Sequence, residues 1–487
     1  MMLLETDKKF LLKSTLYNFL GTALKVVSPA LMIVLARVFG KEEFGIFVST
    51  QLLMLTLSKL AVFGLDKGLN WFLPQNSVNN RPLHLGICES LARSLILSVI
   101  IFAVLLICSV FGLHKYSESL ATLSSVELSI YALSIVPWVG LHIFGGTAEG
   151  IRKPQYRMFI TDCAVYSFAP IISIAFYFAN IPYALASGLL IANILGCLIY
   201  IPLIKKILPL RLKNFKDKIP KELLIYSIPR GFSEIIASVL LRIDIWMILL
   251  LLGPGDAGVY AVMVTISNGL RTIRQSYGPI LLPVVAGMTR ERLHTDLKPI
   301  FSYCVNMVTL IQLAIGFFII LFPDKILMLA GKDFIVQPET LGILLFAHLF
   351  GGFFLLTGTV LNGIGKSLYT LKMDIISLCV AFIVNYLLIP VLGLPGAALS
   401  TLAFILLQSV WNNIYILKLN LRLYSKKVIP YAVWSVFLLF VYIFLPHISP
   451  VLWQKIIFYV IVLCGLAVTF FLYSANNDAR SKHSQKA

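Results

Sequence analysis

The chain of 487 residues is 59% hydrophobic and only 13% charged, with a mean hydropathy of +0.90 and a formal net charge of +18. This composition excludes an ordinary water-soluble domain, in which about 25% of residues are charged, and indicates an integral membrane protein. The seven cysteines lie within or beside apolar stretches without C-x-x-C or His-rich spacing, so we expect no metal site.

Apolar stretches of about 20 residues, the length that crosses the hydrocarbon core of a bilayer, recur along the whole chain. In chain order they predict fourteen transmembrane helices, at residues 15–38, 44–63, 86–111, 128–147, 157–178, 183–203, 223–252, 257–284, 299–322, 335–360, 370–391, 395–417, 428–446 and 452–473. The predicted fold class is therefore an all-α integral membrane protein.

The positive charge is concentrated on one side of these predicted spans. If the N-terminus is cytoplasmic, most Lys and Arg residues between spans fall in inner loops and tails. The positive-inside rule then predicts a multi-pass protein of the cytoplasmic (inner) membrane with both termini in the cytoplasm. The basic segment 205–222 is expected to lie against anionic lipid rather than to bind nucleic acid.

The sequence aligns with itself at a shift of 213 residues, so that Gly40 and Gly45 fall on Gly253 and Gly258. Glycine matches between spans are informative because backbone geometry is demanding there. An even number of spans per copy predicts a parallel repeat of two six-helix lobes with two extra C-terminal helices. The predicted divisions are an N-terminal lobe at 1–204, a linker at 205–222, a C-terminal lobe at 223–418, and the last two helices with a tail at 419–487.

Several cationic residues lie inside predicted spans, where each costs about 2.5–3.5 kcal/mol on insertion scales. They belong to polar stripes at helical spacing on spans 1, 2, 7 and 8, which predicts a shared cavity between the lobes. A cationic cavity favours an anion, phosphate best of all. The predicted anion-binding residues are Lys25, Lys59, Arg242, Arg271 and Arg274.

Other polar residues in the spans have structural alternatives. Arg37 can reach the interface, while Arg93 with Glu89 and Arg230 with Glu234 have the spacing of local ion pairs. Carboxylates among them could serve as counter-ions, and coupling to protons or sodium stays open. The further cavity or coupling residues are Asn18, Asp66, Glu149, Arg230, Glu234, Asp244, Asn268 and Gln275.

Enzymatic motifs are incomplete. Residues 362–367 end like a phosphate-binding loop, but Val360 replaces its first glycine and no strand precedes it. The longest predicted outer loop, near 112–127, lacks paired carboxylates, which disfavours a membrane glycosyltransferase or ligase. We therefore expect a protein that is not an enzyme and that needs no cofactor.

Three junctions resemble those of polysaccharide flippases, the lipid-linked oligosaccharide exporters of the multidrug/oligosaccharidyl-lipid/polysaccharide (MOP) superfamily. LARVFGKEEFG at 35–45 is similar to the family's opening motif. Arg242-Ile243-Asp244 followed by GPGDAGVY at 253–260 is similar to its span 7–8 signature, and LNGIGK at 361–366 to its span 10–11 junction. The resemblance covers essentially the whole chain.

The resemblance implies a two-lobed carrier that moves an undecaprenyl-pyrophosphate-linked oligosaccharide, such as an O-antigen repeat unit, from the inner to the outer leaflet by alternating access. It carries the family's basic cavity residues over to Lys25, Lys59, Arg271 and Arg274. The expected partners are this substrate, membrane lipids and other polysaccharide assembly proteins. The alternative within the superfamily is an efflux antiporter, whose cavity we expect to be acidic.

Overall fold

A computed structural model describes residues 2–78, 86–112, 123–151, 153, 156–162, 167–207, 219–240, 242–286, 288, 290–448 and 452–484. All regular secondary structure in these ranges is helical, which confirms the predicted fold class. The chain forms two compact units, Met1–Val262 and Met263–Ala487.

The first unit is organised around helix α5 (Ile135–Gly150), most of whose residues are buried. Its helices are α1 (Met2–Val62), α2 (Leu65–Val78), α3 (Ile87–Val110), α4 (Ser125–Leu133), α5 (Ile135–Gly150), α6 (Ala169–Phe178), α7 (Ala184–Ile207), α8 (Lys221–Leu240), α9 (Ile243–Leu251) and the start of α10 (Pro254–Ala286). A π-helical turn, Arg157–Asp162, precedes α6. Helix α5 contacts α1, α2, α3 and α7, and its Trp138 is fully buried.

The second unit continues α10 and adds the remaining helices. These are α11 (Arg290–Thr295), α12 (Leu297–Leu321), α13 (Pro323–Leu327), α14 (Glu339–Phe354), α15 (Leu356–Gly363), α16 (Ser367–Leu392), α17 (Leu394–Lys418), α18 (Ile429–Ile448) and α19 (Leu452–Ser484). Helix α12 packs against α14, α18 and α19, and α16 pairs with α17. Phe301 and Phe317 of α12 are fully buried in this core.

Ten helical segments among the described residues are long and apolar enough to cross a membrane, and two further apolar helices are shorter. Every predicted span coincides at least in part with a helix. Helix α10 is 33 residues long but is not among the ten, since polar side chains such as Arg271 and Arg274 interrupt its hydrophobicity. The number fourteen therefore stays a prediction.

The duplication is visible in the local backbone. Gly40 breaks α1 with a φ of 81°, and its repeat partner Gly253 separates α9 from α10 with a φ of 102°. The turn after α5 is closed by a hydrogen bond of 2.8 Å from Lys153 N to the Ala148 carbonyl oxygen, and the turn after α15 repeats it from Lys366 N to Leu361. Left-handed glycines and identical turns therefore occur at corresponding places in both copies, as the sequence shift predicts.

Candidate anion-binding site

The second half of α1, together with α2, packs against α8, α9 and the start of α10 along one continuous line of contacts, which we call the α1–α8 seam. All of its residues belong to the first unit. From one end to the other, the contacts are Gly45 with Gly258, Ser49 with Trp246, Lys59 with Glu234 and Ser238, Gly64 with Gly231, and Trp71 with Tyr226.

At the first end of the seam, the backbones of two glycines lie too close together for a side chain between them. A Cβ added to Gly45 would lie 2.6 Å from the backbone nitrogen of Gly258, and one added to Gly258 would lie 3.1 Å from the nitrogen of Gly45. The nearest carbonyl groups, those of Pro254 and Lys41, are also repeat partners. The contact is therefore reciprocal between the two copies, and no larger residue fits on either side.

The other end of the seam also depends on glycine. Gly64 ends α1 with a φ of 75°, and a Cβ there would lie 2.8 Å from the Gly231 Cα. Beyond this point Trp71 stacks on Tyr226 with ring centroids 4.5 Å apart and an interplanar angle of 6°. Both rings are more than a third exposed, so the seam ends in an accessible aromatic surface.

Between the glycine contacts lies a charged cluster that crosses the seam. The Lys59 ammonium donates to the Ser238 hydroxyl at 2.5 Å and lies 3.9 Å from Glu234 Oε2. The other carboxylate oxygen, Glu234 Oε1, is 3.2 Å from Arg230 Nη2. The expected local pair of Arg230 and Glu234 is therefore present, but Glu234 is shared with a cation of a distant helix.

Two further acids of the first unit, Glu149 and Asp244, have other partners. Glu149 accepts from Asn70 Nδ2 at 2.8 Å and from Arg157 Nη1 at 3.0 Å. Buried Asp244 accepts from the Ile245 backbone at the start of α9 and from the Tyr260 hydroxyl, both at 2.9 Å. These contacts give Glu149 and Asp244 structural roles that their positions in the sequence did not reveal.

Asp66 and Arg242 lie at helix boundaries. Asp66 is buried in the first turn of α2, where a negative charge interacts favourably with the helix dipole. Arg242 is the half-buried residue just before α9. Among the described side chains, no carboxylate lies within 4.0 Å of the Arg242 guanidinium.

In the second unit, Arg271 of α10 contacts two amide side chains of the same helix. Arg271 Nη1 donates to Asn268 Oδ1 at 3.3 Å, one turn before it. With the amide of Gln275 oriented to accept, its oxygen lies 3.1 Å from Arg271 Nε and 3.2 Å from Nη2, one turn after it. Two amides of the same helix thus orient the guanidinium. Arg274 is half-buried three residues further along the chain.

Two predicted site residues cannot be placed by their side chains. The backbone of Asn18 and Lys25 is helical within α1, and both side chains lie outside the described residues. The structure therefore brings Lys59, Arg230 and Glu234 together in the first unit, and Asn268, Arg271 and Gln275 in the second. No group of three or more His, Cys, Asp or Glu side chains within the described ranges is placed to hold a metal ion.

Comparisons with known proteins agree with this architecture. Residues 11–286, more than half of the chain, match the model of a family described as polysaccharide biosynthesis protein. A structure described as lipid II flippase MurJ in an inward closed conformation superposes with a TM-score of 0.65 at 13% identity, covering 94% of this chain and 100% of the other. No curated protein sequence matches the chain.

Drug transporters of the MOP superfamily share the fold as well. An inward-facing multidrug resistance MATE family transporter gives a TM-score of 0.65 at 15% identity, covering 81% of this chain and 95% of the other. A Pyrococcus furiosus MOP superfamily transporter is described as having a binding pocket of reverse polarity. It gives a TM-score of 0.50 at 14% identity, covering 85% of this chain and 97% of the other. At these identities the likeness establishes the fold alone.

Proposed function

Because this chain belongs to the polysaccharide biosynthesis protein family of the MOP superfamily, we propose that it is a flippase for an undecaprenyl-pyrophosphate-linked oligosaccharide. The carrier takes the headgroup from the inner leaflet of the cytoplasmic membrane and releases it at the outer leaflet by alternating access. It makes and breaks no covalent bond. Its partners are the lipid-linked substrate, membrane lipids and other proteins of polysaccharide assembly.

The observation that carries this proposal is the convergence of Lys59 and Arg230 on one carboxylate within the seam. These two cations come from different copies of the repeat and from helices far apart in sequence. An intramembrane cation costs several kcal/mol unless an anion or water compensates it. Two of them facing one position favour a ligand with several anionic oxygens, which a pyrophosphate supplies.

Lys25, Arg242, Arg271 and Arg274, which belong to the polar stripes of the sequence, are further proposed anion-binding residues. Arg271 supports this assignment, because Asn268 and Gln275 hold its guanidinium fork in a fixed orientation. A planar fork of fixed orientation is suited to bidentate binding of a phosphate group. Protons or sodium, with Asp66 or Glu234 as carriers, remain the proposed coupling ions.

The efflux antiporter is the second candidate, favoured by the structural likeness to MATE transporters. The sign of the charges distinguishes the two, since an exporter of cationic drugs needs acidic residues at its site. Of the four acids that the sequence predicts for the cavity, three, Glu149, Asp244 and Glu234, each already contact a donor or a cation. This arrangement favours an anionic substrate.

Charge reversal tests the proposed function. Lys59→Glu should weaken binding of farnesyl pyrophosphate to the purified protein by about 10- to 100-fold, the loss of a charge-assisted contact of ~1.5–3 kcal/mol. Lys59→Glu should also abolish flipping of the lipid-linked oligosaccharide in proteoliposomes. The double variant Lys25→Glu/Arg271→Glu should do the same. Lys325→Glu, which reverses an exposed charge in α13, is the matched control. Unchanged flipping by the Lys59 variant at equal protein level would refute the anion site.

A further inference from the structure

Glu234 occupies the position that a bound anion would take between two cations. Its two carboxylate oxygens face different partners, Oε2 toward Lys59 at 3.9 Å and Oε1 toward Arg230 at 3.2 Å. A phosphoryl group offers the same arrangement of neighbouring anionic oxygens with more charge. The carboxylate therefore neutralises these cations in the same way as a ligand would.

The contact of Glu234 with Lys59 is weaker than its contact with Arg230. A distance of 3.9 Å exceeds hydrogen-bonding range, and the short bond of the ammonium goes instead to the Ser238 hydroxyl. The side chains of Lys59 and Glu234 are 26% and 29% exposed, so water reaches both. Ion pairs that are partly hydrated contribute little and are easily exchanged.

Lys59 and Glu234 form an ion pair between α1 and α8, whereas Arg230 and Glu234 belong to one helix. Withdrawal of Glu234 from Lys59 removes an attraction across the seam and leaves the pair within α8 intact. The glycine contacts on either side involve backbone atoms and do not depend on this charge. Displacement of the carboxylate therefore removes one of the two contacts that Lys59 makes across the seam and leaves its bond to Ser238 in place.

We propose that Glu234 is a displaceable counter-ion that occupies the anion site in the absence of substrate and that the pyrophosphate of the substrate replaces it at Lys59. This inference rests on the proposed flippase function and adds to it the internal competitor that the substrate must displace. Every anionic headgroup that binds at Lys59 has to displace this carboxylate first, so the counter-ion lowers the apparent affinity for each such ligand by the same factor.

The test is equilibrium binding of farnesyl pyrophosphate and farnesyl monophosphate to the purified full-length protein at fixed ionic strength. Glu234→Gln keeps the shape of the side chain and removes its charge. It should tighten binding of both ligands by about two- to tenfold, the range of one or two partly exposed ion pairs. Both ligands should gain by about the same factor, since each displaces the same carboxylate.

Two further variants separate this effect from a general change in charge. Glu89→Gln removes the same charge from another local pair, with Arg93 on α3 at 2.8 Å, and should leave both affinities unchanged. In a Lys59→Gln background, the gain from Glu234→Gln should shrink, because one of its two cations is absent. Equal gains in both backgrounds would overturn the displacement of Glu234 from Lys59.

The outcomes distinguish this inference from the function on which it rests. If Lys59→Gln weakens binding but Glu234→Gln leaves it unchanged or weaker, the counter-ion is refuted and the anion site stands. If Lys59→Gln binds both ligands as well as the unaltered protein, the anion site itself fails. Should Glu234→Gln not fold, Glu234→Asp provides the test: its shorter reach should give a smaller gain, and no gain would refute the inference.

Discussion

The reciprocal glycine contact at the end of the α1–α8 seam yields a quantitative prediction. In Gly258→Ala, the new methyl group would overlap the Lys41 carbonyl oxygen and would lie 2.9 Å from the Lys41 carbonyl carbon and 3.1 Å from the Gly45 nitrogen. All three neighbours are backbone atoms, so no rotamer change relieves the overlap. Overpacking of this kind costs about 1–3 kcal/mol, while alanine gains ~0.5–1 kcal/mol over glycine in a helix. The net loss should be about 1–2 kcal/mol.

Thermal unfolding of the purified protein in one detergent, at one scan rate, measures this loss. The Tm of Gly258→Ala should fall by about 1–2 °C, since the unfolding entropy is about 2.1 cal/mol/K per residue, or about 1 kcal/mol/K for 487 residues. Gly269→Ala in α10 is the matched control, since a Cβ there meets nothing within 4 Å. Its Tm should rise slightly. A Gly258 variant as stable as the control would refute the reasoning that the seam requires glycine at this position.

Three further predictions concern single contacts. Gly45→Ala combined with Gly258→Ala should destabilise less than the sum of the single changes, because either methyl group separates the same two backbones; additive Tm shifts would contradict the shared contact. Tyr260→Phe removes the hydroxyl that donates to buried Asp244 and should cost about 1–3 kcal/mol in thermal unfolding, with farnesyl pyrophosphate affinity unchanged. Arg271→Lys keeps the charge but loses the fork held by Asn268 and Gln275, so this affinity should fall several-fold. Full affinity in the lysine variant would show that charge alone suffices there.

Features set by local geometry could be predicted from the sequence. The break at Gly40 and its counterpart at Gly253 followed from matching glycines between apolar segments. The pair of Arg230 and Glu234 followed from i,i+4 spacing, which fixes their separation once the helix forms. These predictions needed no knowledge of which helices are neighbours.

Contacts between distant helices could not be predicted in the same way. Nothing in the spacing of Lys59 and Glu234, 175 positions apart, indicates that α1 packs on α8 at that register. The partners of Asp244 and Glu149 were missed because they are a tyrosine, an asparagine and the arginine that begins the π-helical turn, rather than cavity cations. Tyr260 belongs to the motif at 253–260, and its place in that motif was the one sequence signal that could have indicated a partner for Asp244.

The meeting of Gly45 with Gly258 bears on the origin of the molecule. When two identical chains associate about a two-fold axis, a residue close to that axis faces its own copy. Here one position of the repeat faces its duplicate. The nearest carbonyl groups follow the same symmetry, since Pro254 lies against Gly45 and its repeat partner Lys41 lies against Gly258. The pattern is the one expected if a six-helix ancestor paired with itself before its gene was doubled and joined. A side chain at either position would meet the backbone of the other copy, so each half requires glycine in the other at this point.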